Sequence, residues 1–418
     1  MVQLSDDCFA FGGPLLPLNE ALRRIADRVQ PIGETEQVSL REALGRVLAA
    51  DLVAGRNVPP HNNSAVDGYA VRYADLNPDD NTSLAVTGRT AAGHPVSNFL
   101  GEGEAIRIFT GASMPEGSDT VYMEEDCVAE GNAVSVPHGI DRGSNCREAG
   151  EDVTAGSLIV PAGRRLRAQE LGIAASVGIT LITVYRRLSV GVFSTGDEVC
   201  DPAGDAPSGC IFDANRFTIM GMLEELGCKV TDLGILPDEW SAIEAALADA
   251  AGEHDVLITS GGVSLGEEDH VGRVVEHLGS LYFWRLAIKP GRPIALGQIG
   301  TTAFVGLPGN PVAAMVTFLR VARPLLLRLA GRCDVEPARY SVRAGFSACK
   351  KEGRREWLRV RLERNGTGDA VARRFAVDGA GVLSSMVAAD GLVELSEDVR
   401  ILEEGTMVDY LPFSDLMR

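Results

Sequence analysis

The sequence predicts a multidomain α/β plus β fold whose centre is a doubly wound, mostly parallel α/β domain, and three features predict it. Between residues 188 and 329, strand-like apolar runs alternate with stretches of helical periodicity, the pattern of right-handed crossovers that put helices on both faces of a sheet. From about residue 53, and again beyond about 335, the chain breaks into short alternating runs punctuated by Gly, Pro, Asn and Asp, as in SLAVTGRT, AIRIFTGA and DTVYMEED. Such punctuation reads as small all-β modules. Helical periodicity flanks the first of these modules at 16–29, 39–50 and 157–178.

Four domains follow in order. Leu18, Ala21, Leu22, Ile25 and Val29 share one face of a first helix, and Leu40, Ala43, Leu44, Val47 and Leu48 repeat the spacing. With the later segment carrying Leu171, Ile173, Ala174 and Val177, they predict a helical scaffold domain of residues 1–52 plus 150–187. A small β domain, 53–149, is inserted within it. The α/β domain spans 188–334, with strands expected at 189–194, 229–236, 255–260, 281–287 and 302–306 and helices at 215–226, 240–251, 270–278 and 311–329. The stretches GRREWLRVRLER and GTMVDYLPF alternate without helical period and predict a C-terminal β-barrel domain, 335–418.

Composition narrows the function classes. The chain has 418 residues, 45% hydrophobic and 23% charged, which suits a globular protein with several cores. A net charge of −19 and a pI near 4.8 oppose nucleic acid or an anionic membrane as partner, because the long-range field repels both. The start, MVQLSDDCFAFGG, lacks a basic region followed by an apolar run, and no apolar run reaches about 18 residues, so a cytoplasmic protein without a membrane span is expected. Eight scattered cysteines with no C-x-x-C pair suit reduced thiols, and no His or Cys spacing suggests zinc.

The chemistry concentrates in SGGVSLGEED, residues 260–269, where an apolar strand ends and a helix begins. In open α/β sheets ligands bind beyond the carboxyl ends of strands, where glycines let backbone N–H groups approach an anion. The glycines suit phosphate, whereas Glu267, Glu268 and Asp269 do not, and a divalent cation reconciles the two. Other strand ends on the same rim carry Ser194-Thr195-Gly196-Asp197-Glu198, Pro237-Asp238, Lys289-Pro290-Gly291 and Leu307-Pro308-Gly309-Asn310-Pro311. Singly, each is an ordinary glycine- and aspartate-rich turn; together they describe a site for phosphate, metal and a polyanionic substrate. His270, next to the acidic run, is read as a surface histidine opening a helix rather than as a base. Absence of G-x-x-x-x-G-K-[ST] and G-x-G-x-x-G argues against P-loop and dinucleotide-binding chemistry.

A second candidate site is PPHNNSAVDGYA, residues 59–70, which composition alone reads as a tight loop. Taken with Thr110-Gly111-Ala112, Gly150-Glu151-Asp152, TGDE, SGGVSLGEED, KPGRP and GLPGNP in this order, it makes essentially the whole chain resemble the molybdopterin molybdenumtransferase family, bacterial MoeA and the gephyrin E domain. The resemblance implies a MogA-like α/β domain and an elongated homodimer in which the α/β domain of one subunit faces the β domain of the other across the active cleft. It further implies insertion of molybdate into adenylated molybdopterin, with Mg2+-dependent hydrolysis of the adenylate and release of molybdenum cofactor and AMP. A molybdopterin adenylyltransferase and molybdoenzyme apoproteins are the partners expected from such a role.

By the same resemblance, family functional positions match at Asp67, Thr110, Arg147, Asp152, Glu198, Asp238, Asp269, Lys289, Pro308 and Pro311. Asp67, Asp152, Glu198, Asp269 and Lys289 are the catalytic candidates, and Asp238, Asp269 and Glu198 the candidate Mg2+ ligands. Substrate binding is expected from Thr110, Arg147, Gly261, Gly262, Ser264, Arg285, Arg292, Pro308 and Pro311, with molybdate placed among Arg285, Lys289, Arg292 and Ser264. The chain departs from the family at Arg285, where relatives have lysine, at His61 and Asn62, where many have Phe and Asp, and at Ala313, where a serine is common. A guanidinium fork and a point ammonium are not equivalent toward an oxyanion. Two rival readings are a cofactor-binding scaffold and an enzyme acting on another nucleotide-like substrate. The retained charged rim disfavours the first, and the DGYA module and C-terminal barrel disfavour both.

Overall fold

The computed structural model describes residues 15–94, 99–205, 207–262, 270–366 and 368–417. Its central sheet has six strands in the order Lys229–Leu236, Ser189–Thr195, Val256–Ser260, Thr302–Leu307, Pro293–Ile299, Gly279–Arg285. Neighbouring pairs are parallel as far as Thr302–Leu307; Pro293–Ile299 then runs antiparallel to both of its neighbours. Five strands therefore point one way, and their carboxyl ends share one rim. The alternating sequence runs are explained by burial on both faces: in Val256–Ser260, Val256 and Ile258 enter the core that holds Val190, Val192 and Val305, while Leu257 enters the opposite core with Phe193 and Phe304. Helices Ala214–Glu225, Trp240–Ala251 and His270–Leu278 lie at the expected places. The last helix runs from Pro311 to Leu329 with a π-helical stretch, Phe318–Ala322, at its middle. The strand Pro293–Ile299 is an addition to the five expected from sequence.

After the α/β unit, strands Arg355–Arg364, Ala370–Arg374, Tyr340–Ala344, Met407–Pro412 and Gly391–Leu395 pair in that order, and the last returns to the first to close a five-stranded barrel. A short segment of the α/β unit, Ile288–Lys289, adds to its edge in parallel with Arg355 and Glu356. That pairing carries the loop after the strand Gly279–Arg285 onto the barrel wall.

The first β module is a six-stranded sheet in the order Thr120–Met123, Gly68–Val71, Glu104–Ile108, Thr82–Thr90, Ala133–Val136, Val128–Glu130. The chain enters and leaves it side by side, because Leu52–Val53 pairs with Leu158–Val160 and Val58 bridges Val153. Residues 39–50 are not a helix, contrary to their periodicity. Gly45 sits at φ +75°, and the segment is bridged to other chain segments instead, Val47 to Arg165 and Leu48 to Val184. Tertiary pairing thus overrides a short helical pattern. Nor does the first helix, Leu18–Arg28, share a core with 39–50. It buries Leu18, Ala21 and Ile25 against the α/β core that contains Trp284 and Leu325, whereas Ala43 and Leu48 pack with Leu166, Ala174 and Val184.

Candidate active site

The β module and the α/β rim each gather part of the expected set. In the module, Asp67 lies in the loop between Asn63–Ser64 and Gly68–Val71. Its Oδ1 accepts hydrogen bonds from the Thr110 amide at 2.8 Å and the Thr110 hydroxyl at 2.7 Å. Both bonds favour the carboxylate, and Arg107 adds attraction, so Asp67 is held below the usual aspartate range while remaining exposed. Gly68 explains why this motif contains glycine: a Cβ there would stand 1.7 Å from the Tyr122 carbonyl oxygen. Arg147 is exposed and pairs through its backbone with Asn63. Asn62 Oδ1 accepts from the Ala149 amide at 2.8 Å, a role its aspartate counterpart would also fill. Asp152 is exposed, with its amide on the Val58 carbonyl at 3.0 Å.

On the rim, the remaining residues divide between two hollows. The first, of about 330 Å³, is lined by Glu198, Asp238, Gly261, Gly262, Asn215 and Pro311, among others. Gly261 and Gly262 both have positive φ, at +83° and +61°. A Cβ on Gly262 would meet Thr195 Cγ2 at 2.8 Å, so the backbone turns here through a space that a side chain cannot share. Gly196 approaches the Glu198 carboxylate equally closely, since a Cβ on it would lie 2.7 Å from Oε2. Asp238 is half-buried and accepts a long hydrogen bond, 3.4 Å, from the Thr195 hydroxyl.

The second hollow, about 500 Å³, opens between the rim and the barrel and carries the opposite charge. Lys289, Arg292, Arg354 and Arg359 line it with Glu356 and Asp378, and Pro308 closes one side. Lys289 Nζ meets Glu356 Oε2 at 3.2 Å. Gly291, at φ +80°, packs its α-carbon onto the helix Pro311–Thr317, where a Cβ would be 2.3 Å from Thr317 Oγ1. Gly309 borders both hollows, and its carbonyl oxygen accepts from Asn215 Nδ2 at 2.7 Å. Arg285 lines neither; it ends its strand exposed, opposite Pro293 in register.

Ser264, Glu267, Glu268 and Asp269 lie outside the described residues. Among the described residues no group of three His, Cys, Asp or Glu side chains is arranged to hold a metal. Glu198 and Asp238 do face one hollow, beside the turned backbone of Gly261 and Gly262, and two hard carboxylates are donors that Mg2+ takes, its other positions going to water and substrate oxygens. The donor chemistry therefore fits. His270 opens its helix half-buried rather than on the surface. All described cysteines are free thiols, and no helix among the described residues is long and apolar enough to cross a membrane.

Sequence reasoning missed the barrel's contribution, Glu356, Arg354, Arg359 and Asp378, because nothing in a strand of alternating residues says which rim it will face. It also missed Asn215 and Phe212, although DANR just before a helix is a capping signal, and Asp213 does cap that helix by accepting from the Arg216 amide at 3.1 Å.

Three family models together span most of the chain. The family model described as the MoeA N-terminal region (domain I and II) matches residues 16–178, that described as a probable molybdopterin binding domain matches 191–328, and that of the MoeA C-terminal region (domain IV) matches 341–413. A molybdopterin molybdenumtransferase of Haemophilus influenzae is 37% identical over 405 residues, covering 96% of this chain and all of the relative. One from a Nostoc species is 35% identical and covers 77% of this chain and 76% of its own. Among solved structures, the molybdopterin biosynthesis moeA protein of Pyrococcus horikoshii superimposes with a TM-score of 0.83 at 29% identity, over 95% of this chain and all of that one.

Proposed function

The chain belongs to the molybdopterin molybdenumtransferase family, and from that premise we propose that its two adjoining hollows carry out molybdate insertion into adenylated molybdopterin, with hydrolysis of the adenylate to AMP. The chain is a transferase of molybdenum cofactor biosynthesis; the division of labour among its residues is our reading. One observation carries it: Gly309 joins an acidic, glycine-turned hollow to a basic one.

Adenylated molybdopterin brings a pyrophosphate, and molybdate is a tetrahedral dianion. The backbone at Gly261 and Gly262 is turned to let N–H groups approach a phosphate oxygen. Glu198 and Asp238 would hold Mg2+ there, with Asp269 as a third ligand, and the ion's charge would neutralise the phosphoryl oxygens. Lys289 and Arg292 supply charge-assisted donors for molybdate in the adjoining hollow. Lys289 is positioned for this by Glu356, which holds its ammonium group at 3.2 Å. Arg285, lining neither hollow, is assigned to approaching anions rather than to a bound one. Ala313 lines the basic hollow without a hydroxyl, so molybdate contact there falls to the cations.

Asp67, Thr110, Arg147 and Asp152 line neither hollow. A homodimer in which the partner subunit brings its β module over the rim would unite the two sets, and the hydrogen-bonded Asp67 carboxylate would then orient a water or the pterin. Magnesium dependence, the homodimer and a cytoplasmic location belong to this proposal. Its test is AMP release from adenylated molybdopterin by folded Glu198→Ala, Asp238→Ala and Lys289→Ala variants. Loss in the two carboxylate variants, with AMP release retained but cofactor formation lost in the lysine variant, supports the division. Wild-type AMP release by both carboxylate variants contradicts it.

A further inference from the structure

The acidic hollow has an apolar lip that the preceding assignments leave without a task. Ile211–Phe212 forms a two-residue strand in parallel with Val199–Cys200. Both side chains line the hollow while remaining 62% and 50% exposed. A large aromatic left open at the edge of a polar site is a surface whose burial a ligand can complete.

The lip is also firmly held. The Ile211 amide donates to the Glu198 carbonyl at 2.8 Å and the Asp213 amide to the Cys200 carbonyl at 2.9 Å. Directly behind, the guanidinium of Arg216, 2% exposed, binds Asp213 at 2.9 Å and Asp201 at 2.6 Å, and reaches Asp232 on the edge strand Lys229–Leu236. One buried cation thus ties the start of the lip, its end and the sheet edge together. A half-exposed ring on an anchored backbone, beside the turned backbone of Gly261 and Gly262, has the placement of a stacking platform, because a planar heterocycle offers a π-face whatever its substituents.

Resting on the phosphate-cradle reading above, we propose that Phe212 is the stacking platform for a planar nitrogen heterocycle of the substrate, the adenine or the pterin, with Ile211 flanking the ring. Phe212 is a positioning residue: it touches the ring and sets where the phosphate meets Gly261 and Gly262, without taking part in bond making.

The test is calorimetric titration of the full-length protein, in Mg2+, with AMP, with a phosphorylated pterin and with inorganic pyrophosphate. Phe212→Ala is expected to weaken one of the two ring-bearing ligands about tenfold and to leave pyrophosphate unchanged; Phe212→Trp restores the affinity. The ligand that weakens identifies the ring. Tyr340→Ala, removing a 51% exposed aromatic on the barrel that does not line the hollow, serves as control and changes nothing. Unchanged affinity for both ring ligands in Phe212→Ala, or equal weakening of pyrophosphate, overturns the platform while leaving the cradle intact. A wild-type protein that binds none of the three probes overturns the cradle, and the platform with it.

Discussion

Asp67 Oδ1 takes both donors of Thr110, amide and hydroxyl, at 2.8 and 2.7 Å, on a carboxylate that is otherwise open to solvent. The bonds hold Asp67 below the ordinary aspartate value of about 3.9. Thr110→Val deletes the hydroxyl and should bring the Asp67 midpoint, followed by carboxyl NMR, back toward that value. The sign follows from linkage: a depressed carboxyl contributes stability above its unfolded-state pKa and loses it as pH falls through the folded one. Thr110→Val should therefore show a smaller loss of stability on acidification. Identical titration curves for the two proteins would remove the hydroxyl from the account.

Arg216 is buried among three carboxylates, one of which, Asp213, is itself only 5% exposed. Replacing the arginine by methionine takes the guanidinium from the largely buried Asp213 carboxylate and leaves it only the helix-capping bond from the residue-216 amide. Loss of one member of a buried pair costs about 3–5 kcal/mol. Urea unfolding of Arg216→Met should show a drop of that order, and Asp201→Asn, whose side chain is half exposed, much less. Equal effects from the two would mean that burial does not govern this cluster.

Gly291 combines a positive φ with contact against the helix Pro311–Thr317. A methyl group would sit 2.3 Å from Thr317 Oγ1 and 2.9 Å from the Ala313 carbonyl oxygen, and backbone cannot yield as a side chain can. Gly291→Ala should cost about 2 kcal/mol or more and displace Lys289, raising the apparent Kd for molybdate. Wild-type stability and molybdate affinity in this variant would contradict the described contact.

Glu170 gives a pH prediction away from the site. The Arg167 side chain, with the Arg167 amide at 2.9 Å, lowers its carboxyl to about 2 despite burial. Its contribution should be complete above about pH 4.3, the unfolded-state value, and fade as pH falls toward about 2. Glu170→Gln should flatten the acid limb of the stability profile measured by denaturant titration between those values. An unaltered acid limb would show that the pairing is not maintained in solution.

Much of the rim was legible in the sequence because one signal, the alternation of strand and helix, places every strand end on the same side. Glu198, Asp238, Gly261, Gly262 and Pro311 meet in one hollow as that argument requires. Two kinds of feature were not legible. Pro293–Ile299 follows a glycine-containing loop and reverses direction, so crossover reasoning has no place for it, although Gly300 at φ +58° marks its turn into the next strand. Residues 39–50 have helical spacing, yet bridges from Val47 and Leu48 to distant segments decide their conformation. The barrel side of the basic hollow was hidden for the same reason: Glu356 reaches Lys289 only because Ile288–Lys289 joins the barrel edge. No local pattern announces a pairing between segments so far apart.

The central claim is that one rim couples adenylate hydrolysis to molybdate insertion. Supplying the purified protein with adenylated molybdopterin, Mg2+ and molybdate, and measuring AMP and active molybdenum cofactor in the same sample, tests it most directly. The account predicts that both products rise together and that both fall when Mg2+ is chelated. AMP without cofactor would reduce the protein to a hydrolase, and neither product would leave it a scaffold; either result contradicts the account.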